Sequence, residues 1–333
     1  MKTRHFPWFV SAAASAASTL LLASANASAY SGLFVFGDSV SDSGNVALAI
    51  GAPQGVPQVI TGNSYIPDFP YAPSGRFSNG PVWVEDFAGK LGLHAAPSLG
   101  GGTDYAFGGA RTGGPDVPSP TLTTQTGMFL NATDGVAPAN ALYVVAEVGN
   151  DARDAITAIA SGADPTATIE AAAAAYAGNL GAIIDSLQLA GAQHFLVFDN
   201  VNLGVVPALM AQGRAAAGLA TAVTAAMNAA LTMRLTGETG VTIFDTFSFV
   251  TGVVQDPSAY GFSNATDACA ALVSADCSQY VFWDGIHPTA AFHELIADAA
   301  LAAVPEPQTW ALFALGLVGV AMARVRFNRR NDS

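Results

Sequence analysis

The chain has few charged residues for its length. Only 11% of its 333 residues are Asp, Glu, Lys or Arg, and just 12 of these are basic. Residues 30–304 hold six bases against 23 acids, which gives that segment a formal charge of −17. A body with this charge repels phosphate backbones and anionic lipid surfaces, so nucleic acid is excluded as an expected partner.

Several common catalytic motifs are also absent. There is no G-x-S-x-G, which excludes the usual nucleophile elbow of α/β-hydrolases. There is no G-x-x-x-x-G-K-[ST], so the Gly-rich residues 100–114 are not a P-loop. His293-Glu294 is followed by Ala297 where a zinc-binding H-E-x-x-H needs a second histidine. No cluster of His, Cys and carboxylates indicates a metal site, and we expect neither a metal nor a cofactor.

Cysteine is scarce as well, with only Cys269 and Cys277 in the chain. Their spacing fits no usual zinc pattern. In an exported protein the pair is expected to form a disulfide across a small loop, and two free buried thiols are the alternative.

Apolar residues, in contrast, make up 51% of the chain, which is enough for a large core. Four short runs rich in β-branched and aromatic residues are continuous rather than alternating, as in strands covered on both faces. These runs are residues 32–36, 141–149, 194–200 and 241–247. Ala-rich helical stretches follow near 166–190 and 208–237, and a last helix is predicted from Pro288. This alternation predicts an α/β fold with a central parallel sheet, and residues 50–135 are expected to form long loops with short elements.

The two ends of the chain have the features of targeting segments. Residues 1–29 begin with basic residues, continue through an Ala-rich apolar stretch and end on Ala27-Ser28-Ala29, the form of a signal-peptidase site. We predict a signal peptide there, with an amphipathic helix as the alternative. Residues 305–333 contain Pro-Glu-Pro, an uncharged apolar run and four arginines in that order. The run is short for a membrane span, which needs about 18 residues, and a core helix is the alternative.

The order of features in residues 305–333 resembles the PEP-CTERM sorting signal of exported bacterial proteins. The resemblance implies a transient inner-membrane anchor, a short transmembrane segment, that an exosortase-like activity removes on the way to the cell surface or the exterior. Between the two targeting segments, residues 30–304 are expected to form one domain.

Residues that suit a catalytic site lie at four points along this domain. Ser39 follows the first strand, Gly109 lies in the Gly-rich stretch, Asn150 follows the second strand, and Asp284 and His287 precede the last helix. Each of these alone is ordinary turn chemistry. Together they supply the nucleophile, the base, the group that orients the base and the oxyanion donors that acyl transfer needs. The donors would be the backbone N–H groups of Ser39 and Gly109 and the Asn150 amide.

Four motifs resemble the blocks of the SGNH, or GDSL-type, hydrolase family: FGDSVSDSGN, YAFGGA, GND and DGIH. Residues 70–85 and 282–289 further resemble its lipase and acylhydrolase branch. The resemblance implies a flavodoxin-like three-layer α/β/α sandwich. It also implies that Ser39 is the nucleophile, that Asp284 and His287 complete the triad, and that Gly109 and Asn150 donate to the oxyanion.

The chain departs from that branch at Asp104, where the branch usually has Asn. A compact carboxyl group can substitute for the amide, and the alternative is a buried charge that alters the glycine loop. Of the other histidines, His293 lies six residues past His287 and is expected to face solvent or a neighbouring helix.

Three functions follow from these observations. The first is an exported serine ester hydrolase, a lipase or esterase, that forms an acyl-enzyme on Ser39. The second is a deacetylase of extracellular polysaccharide, which the sorting segment suggests. The third is a catalytically inactive surface or matrix binding protein, and the complete set of site residues argues against it.

Overall fold

The structure is a computed structural model that describes residues 30–273 and 275–304. The predicted signal peptide 1–29 and sorting segment 305–333 therefore lie outside the described residues, and the predicted hydrolase domain lies almost wholly within them.

Four parallel strands form the central sheet in the order β1-β2-β3-β4. These are β1 Leu33–Gly37, β2 Leu142–Ala146, β3 His194–Phe198 and β4 Val241–Phe244. The register pairs Gly37 with Ala146 and Phe198 with Phe244. Because the strands are parallel, their carboxyl ends lie along one edge, which is where sites form in such sheets. All four predicted strands are confirmed, and three of them end two to three residues earlier than predicted.

Helices cover both faces of this sheet and give the three-layer α/β/α arrangement that was predicted. In the described residues they are α1 Asn45–Ala49, α2 Trp83–Lys90, α3 Leu122–Ala132, α4 Asn150–Ala160, α5 Pro165–Leu189, α6 Pro207–Met210, α7 Arg214–Leu235, α8 Thr246–Gln255 and α9 Ala290–Ala303. Helices α4, α5 and α7 pack together, and α2 packs against α9.

Two helix boundaries differ from the sequence prediction. The stretch 208–237 is interrupted at Gly213, whose φ of 96° lies in the left-handed region that glycine tolerates, so α6 and α7 are separate helices. The last helix begins at Ala290 rather than Pro288, because the Thr289 side chain accepts a hydrogen bond from the Phe292 N–H and caps the helix.

The core explains the continuous apolar runs of the strands. Every residue of β2 is buried, as expected for a strand with helices on both sides. Helices α5 and α7 are long and apolar enough to cross a membrane by length and composition alone. In the structure they pack against each other and bury residues such as Leu180, Ile184 and Leu231 completely.

A second, smaller sheet lies near the end of the chain. It pairs β5 Asn264–Ala268 with β6 Tyr280–Phe282. A disulfide joins Cys269 and Cys277 in the segment between these two strands. Strand β6 leads directly into the loop that carries Asp284 and His287.

Candidate active site

The end of β1 is fixed by two side chains from distant parts of the chain. The buried Gln125 amide of α3 accepts a hydrogen bond from the Gly37 N–H and donates one to the Gly37 carbonyl, both at 2.9 Å. The buried Asp38 carboxylate accepts from the Val40 N–H and the Val148 N–H, each at 3.0 Å. Burial raises the Asp38 pKa to about 6, and these two N–H groups act in the opposite direction. Ser39 thus follows a strand end that is held to both α3 and the neighbouring β2.

Ser39, His287 and Asp284 form a chain of hydrogen bonds at this edge of the sheet. His287 Nε2 lies 2.8 Å from Ser39 Oγ, and His287 Nδ1 lies 2.7 Å from Asp284 Oδ2. Asp284 is fully buried, whereas Ser39 keeps 8% of its surface exposed. The buried carboxylate can therefore fix the imidazole tautomer and leave Nε2 as the base for the serine.

The loop from Asp284 to His287 presents the carboxylate to the ring. Asp284 Oδ1 accepts from the Ile286 and His287 N–H groups, both at 2.8 Å, which closes a tight turn. A Cβ at Gly285 would lie 2.5 Å from the Tyr65 carbonyl oxygen, so the turn requires glycine at this position.

A third partner of Asp284 was not predicted from the sequence. The buried Tyr71 hydroxyl donates to Asp284 Oδ2 at 2.8 Å, to the same oxygen that faces His287. Tyr71 lies in the stretch 70–85 that resembles the lipase branch, and this was the only signal for it in the sequence. The phenol satisfies the second lone pair of a carboxylate that has no access to water.

The Gly-rich segment runs beside β1 and brings Gly109 to the site. The Tyr105 N–H donates to the Val35 carbonyl at 2.8 Å, and the Phe107 N–H donates to the Gly37 carbonyl at 3.1 Å. The next residue, Gly108, donates its N–H to the Asp42 carboxylate at 2.9 Å. Gly109 has a φ of 80°, a conformation that favours glycine.

In the part of the chain that the structure describes, each of the three predicted oxyanion donors keeps an N–H hydrogen without a protein acceptor. Within residues 30–273 and 275–304, neither the Ser39 N–H nor the Gly109 N–H donates to another group. The Asn150 amide uses one hydrogen on the Ala110 carbonyl at 2.9 Å and keeps the other. A developing oxyanion is stabilised by N–H donors near the serine hydroxyl that have no other acceptor.

Glu147 positions Asn150 at the start of α4. Its Oε1 accepts from the N–H groups of Gly149, Asn150 and Asp151, and so caps the helix from within the core. Burial, followed by the charges of Asp151 and Asp38, raises the Glu147 pKa well above its ordinary value. Sequence reasoning missed this residue because its three partners are backbone groups.

Asp104 is the position at which the chain departs from the lipase branch. Asp104 Oδ1 accepts from the Ala106 N–H at 2.9 Å and Oδ2 accepts from the Ser43 N–H at 2.8 Å, which ties the serine loop to the glycine segment. Burial raises the Asp104 pKa to about 8, and the charge of Asp42 acts in the same direction. A raised pKa favours the neutral carboxyl, which resembles the Asn of the family more closely than a carboxylate would.

Of the two surroundings predicted for His293, solvent or a neighbouring helix, the structure has the neighbouring helix. The ring is fully buried, and its Nδ1 accepts from the Trp83 N–H of α2 at 3.1 Å. Burial lowers its pKa to about 3. In the described ranges, no group of three or more His, Cys, Asp or Glu is placed to hold a metal ion.

A cavity of about 480 Å³ adjoins the donors Gly109 and Asn150. Its lining is largely apolar, with Val46, Ile50, Ile66, Phe69, Phe77 and Pro118 among the contributing side chains. Arg111 and Arg153 contribute positive charge to the lining, and Asp68 contributes a carboxylate. Arg153 also lines the narrow space next to Ser39.

A serine, a histidine and an aspartate that are hydrogen-bonded at the carboxyl edge of a parallel sheet form an arrangement typical of serine-type hydrolases. The family model for GDSL-like lipases and acylhydrolases matches residues 33–300. The chain belongs to this family, and it is an ester hydrolase. A second family model, for the PEP-CTERM protein-sorting motif, matches residues 303–326 and implies export with a carboxyl-terminal sorting signal.

Known proteins similar to the chain include plant enzymes and bacterial structures. One GDSL esterase/lipase of Arabidopsis thaliana is 29% identical over 320 residues, covering 81% of this chain and 88% of the relative. A second from the same plant is 28% identical and covers 80% and 85%. A lipase from a goat rumen metagenome is 12% identical with a TM-score of 0.47, covering 81% and 96%. Phospholipase A1 from Streptomyces albidoflavus NA297 is 16% identical with a TM-score of 0.41, covering 82% and 98%.

Proposed function

We propose that the chain cleaves carboxylic esters through an acyl-enzyme on Ser39. The observation that carries the proposal is the hydrogen-bonded series from Ser39 through His287 to Asp284, beside three unspent N–H donors. His287 Nε2 takes the hydroxyl proton as Ser39 Oγ attacks the ester carbonyl carbon. The carbonyl oxygen becomes an oxyanion among the three donors, and the alcohol leaves with the proton from His287.

The second half of the reaction repeats the first with water as the nucleophile. His287 removes a proton from the water, whose oxygen attacks the acyl carbon, and the proton then returns to Ser39 as the acid departs. Asp284 accepts the Nδ1 hydrogen of His287 and stabilises the imidazolium in both halves. None of these reaction steps requires a metal or an organic cofactor.

The cavity beside the oxyanion donors favours esters with a large apolar group. Cavities of a few hundred cubic ångströms accommodate ligands much larger than an acetyl group. Its apolar rim, with Ile50 and Phe69 more than 40% exposed, matches a hydrocarbon chain. These features support a lipase or esterase over a deacetylase of extracellular polysaccharide, because an acetyl group would leave the cavity unfilled.

The chain-length preference of the purified enzyme tests this substrate class. We expect kcat/KM on p-nitrophenyl esters to rise by about fourfold per added methylene beyond acetate, until the cavity is filled. Residues 30–304, which we propose as the catalytic domain, are the protein to assay. A maximum on acetate would contradict the proposal and favour the deacetylase. An absence of hydrolysis on every ester would favour the inactive binding protein.

We also propose that the enzyme is delivered outside the inner membrane. The support is the sorting motif at 303–326 together with the signal-peptide features of residues 1–29. Fractionation with antibodies against each end tests this proposal. We expect the full-length precursor in the inner membrane and an active, shortened product outside. If segment 305–333 co-purifies with the secreted active enzyme, the processing proposal is wrong.

A further inference from the structure

Arg153 lies where the serine pocket meets the larger cavity. It is on α4, one helical turn after Asn150, and it lines both spaces. One of its guanidinium N–H groups donates to Asn150 Oδ1 at 3.2 Å. The side chain is partly buried, so its charge is only partly solvated.

Within the described residues, Arg153 has no ion-pair partner, whereas most of the other cationic side chains have one. Arg76, Lys90, Arg111 and Arg234 each form an ion pair with a carboxylate. Within the residues that the structure describes, Arg153 forms none. Arg214 also forms none there, but it is exposed to solvent at the start of α7 and needs no partner.

The carboxylates nearest to Arg153 are already engaged by other groups. Asp38 accepts from two backbone N–H groups, and Asp284 accepts from His287 and Tyr71. The two Asp154 carboxylate oxygens accept hydrogen bonds from Arg111 Nε and Nη2 at 2.9 and 2.8 Å. They attract Arg153 only at longer range, and burial, with the nearby Arg111 charge, lowers the Arg153 pKa.

Orientation of Asn150 alone does not account for an arginine at this position. A single neutral donor would hold Asn150 Oδ1 without placing a charge in a partly desolvated cavity. A guanidinium carries five N–H donors in a planar fork that matches the paired oxygens of a carboxylate or a phosphate. One donor is spent on Asn150, and the fork still adjoins the cavity in which the substrate would lie.

We propose that Arg153 is a specificity-determining residue that binds a carboxylate or phosphate group carried by the ester substrate. This rests on the proposed function, since it assigns the substrate class of the same site. The overall charge of −17 over residues 30–304 opposes anionic surfaces, so the preference is for small anionic esters that enter the cavity. Bound there, the anion completes the ion pair that the protein itself does not supply.

Two pairs of substrates distinguish where the anion is carried. Mono-p-nitrophenyl adipate against p-nitrophenyl hexanoate compares a charged with a neutral acyl chain of six carbons. Monobutyryl glycerol phosphate against monobutyrin compares a charged with a neutral alcohol. The quantity measured is the ratio of kcat/KM for the charged ester to that for its neutral partner, in wild type, Arg153→Gln, Arg153→Lys and the control Arg214→Gln.

We expect Arg153→Gln to lower this ratio by about 10- to 100-fold in at least one pair, mainly through KM, since a charged hydrogen-bond pair is lost. Arg153→Lys should recover part of it, and Arg214→Gln should leave it unchanged. A loss in the adipate pair places the anion on the acyl side, and a loss in the glycerol phosphate pair places it on the alcohol side.

If Arg153→Gln leaves the ratio of kcat/KM values unchanged in both substrate pairs, the proposal is overturned. This includes the case in which charged and neutral esters lose activity equally, which would mean that Arg153 only orients Asn150. Failure of the proposed function would look different, since Ser39→Ala would then still hydrolyse the neutral esters. Circular dichroism of Arg153→Gln and activity of Arg153→Lys separate loss of folding from loss of specificity.

Discussion

Tyr71 donates its hydroxyl hydrogen to Asp284 Oδ2 at 2.8 Å across 213 residues of sequence. The same oxygen lies 2.7 Å from His287 Nδ1. A buried carboxylate oxygen shared by a phenol and an imidazole is better stabilised as an anion than one held by the imidazole alone. Burial and the adjacent Asp284 charge raise the Tyr71 pKa, so the phenol stays protonated and remains a donor.

Tyr71→Phe should lower kcat by about 3- to 30-fold with little change in KM. The variant removes one hydrogen bond to a charged group, which is worth about 1.5–3 kcal/mol, and leaves the proposed nucleophile and base in place. Because this bond is already present before the reaction, only the part of its energy that is gained as the imidazolium forms lowers kcat. Steady-state kinetics on one p-nitrophenyl ester measures this effect.

Tyr65→Phe is the matched control, since the Tyr65 hydroxyl bonds to Gln58 and not to the triad. The control should retain the kcat of wild type. If both variants behave alike, Tyr71 has no specific role in orienting Asp284.

Asp104→Asn should flatten the dependence of stability on pH. In the unfolded chain the carboxyl has an ordinary pKa near 4, whereas in the folded chain it is about 8. Between these values the folded state holds a proton that the unfolded state has released. The contribution to stability is therefore complete below about pH 4 and is lost as pH rises toward about 8.

Denaturant unfolding at pH 5 and pH 8 measures this contribution. The decrease in unfolding free energy between the two pH values should be smaller in Asp104→Asn than in wild type by at least about 1 kcal/mol. Glu170→Gln, which changes an exposed carboxylate on α5, should show the same decrease as wild type. An equal decrease in all three proteins would show that Asp104 is ionised throughout.

Removing the disulfide should cost stability and spare activity. The bond between Cys269 and Cys277 closes a small loop, for which the chain-entropy model gives about 2–3 kcal/mol. The double variant Cys269→Ala/Cys277→Ala should lose about that much unfolding free energy and keep the kcat of wild type. A reducing agent should lower the melting temperature of wild type but not of the variant. A variant as stable as oxidised wild type would contradict this account.

The sequence was sufficient for the features that are local. A continuous apolar run identifies a buried strand because both faces of that strand are covered, and all four runs are strands in the structure. Ser39, Gly109 and Asn150 were predicted because each follows a predicted strand or lies in a Gly-rich segment, and parallel strands bring such positions to one edge.

The partners that hold these residues could not be found in the same way. Gln125 bonds to Gly37 across 88 residues, and Tyr71 bonds to Asp284 across 213. No pattern in the sequence around Gln125 or Tyr71 predicts such a contact. The contact depends on the path by which a long loop returns to the sheet. Glu147 was missed for another reason, since it binds backbone groups that every residue carries.

The most direct test of the account is kcat/KM of Ser39→Ala on the best p-nitrophenyl ester. Because the hydroxyl is the proposed nucleophile, activity should fall by several orders of magnitude. The unfolding free energy should stay near that of wild type, since a small hydroxyl in a turn contributes little to stability. A folded variant that keeps more than roughly a few per cent of wild-type kcat/KM would contradict the assignment of Ser39 and the acyl-enzyme mechanism with it.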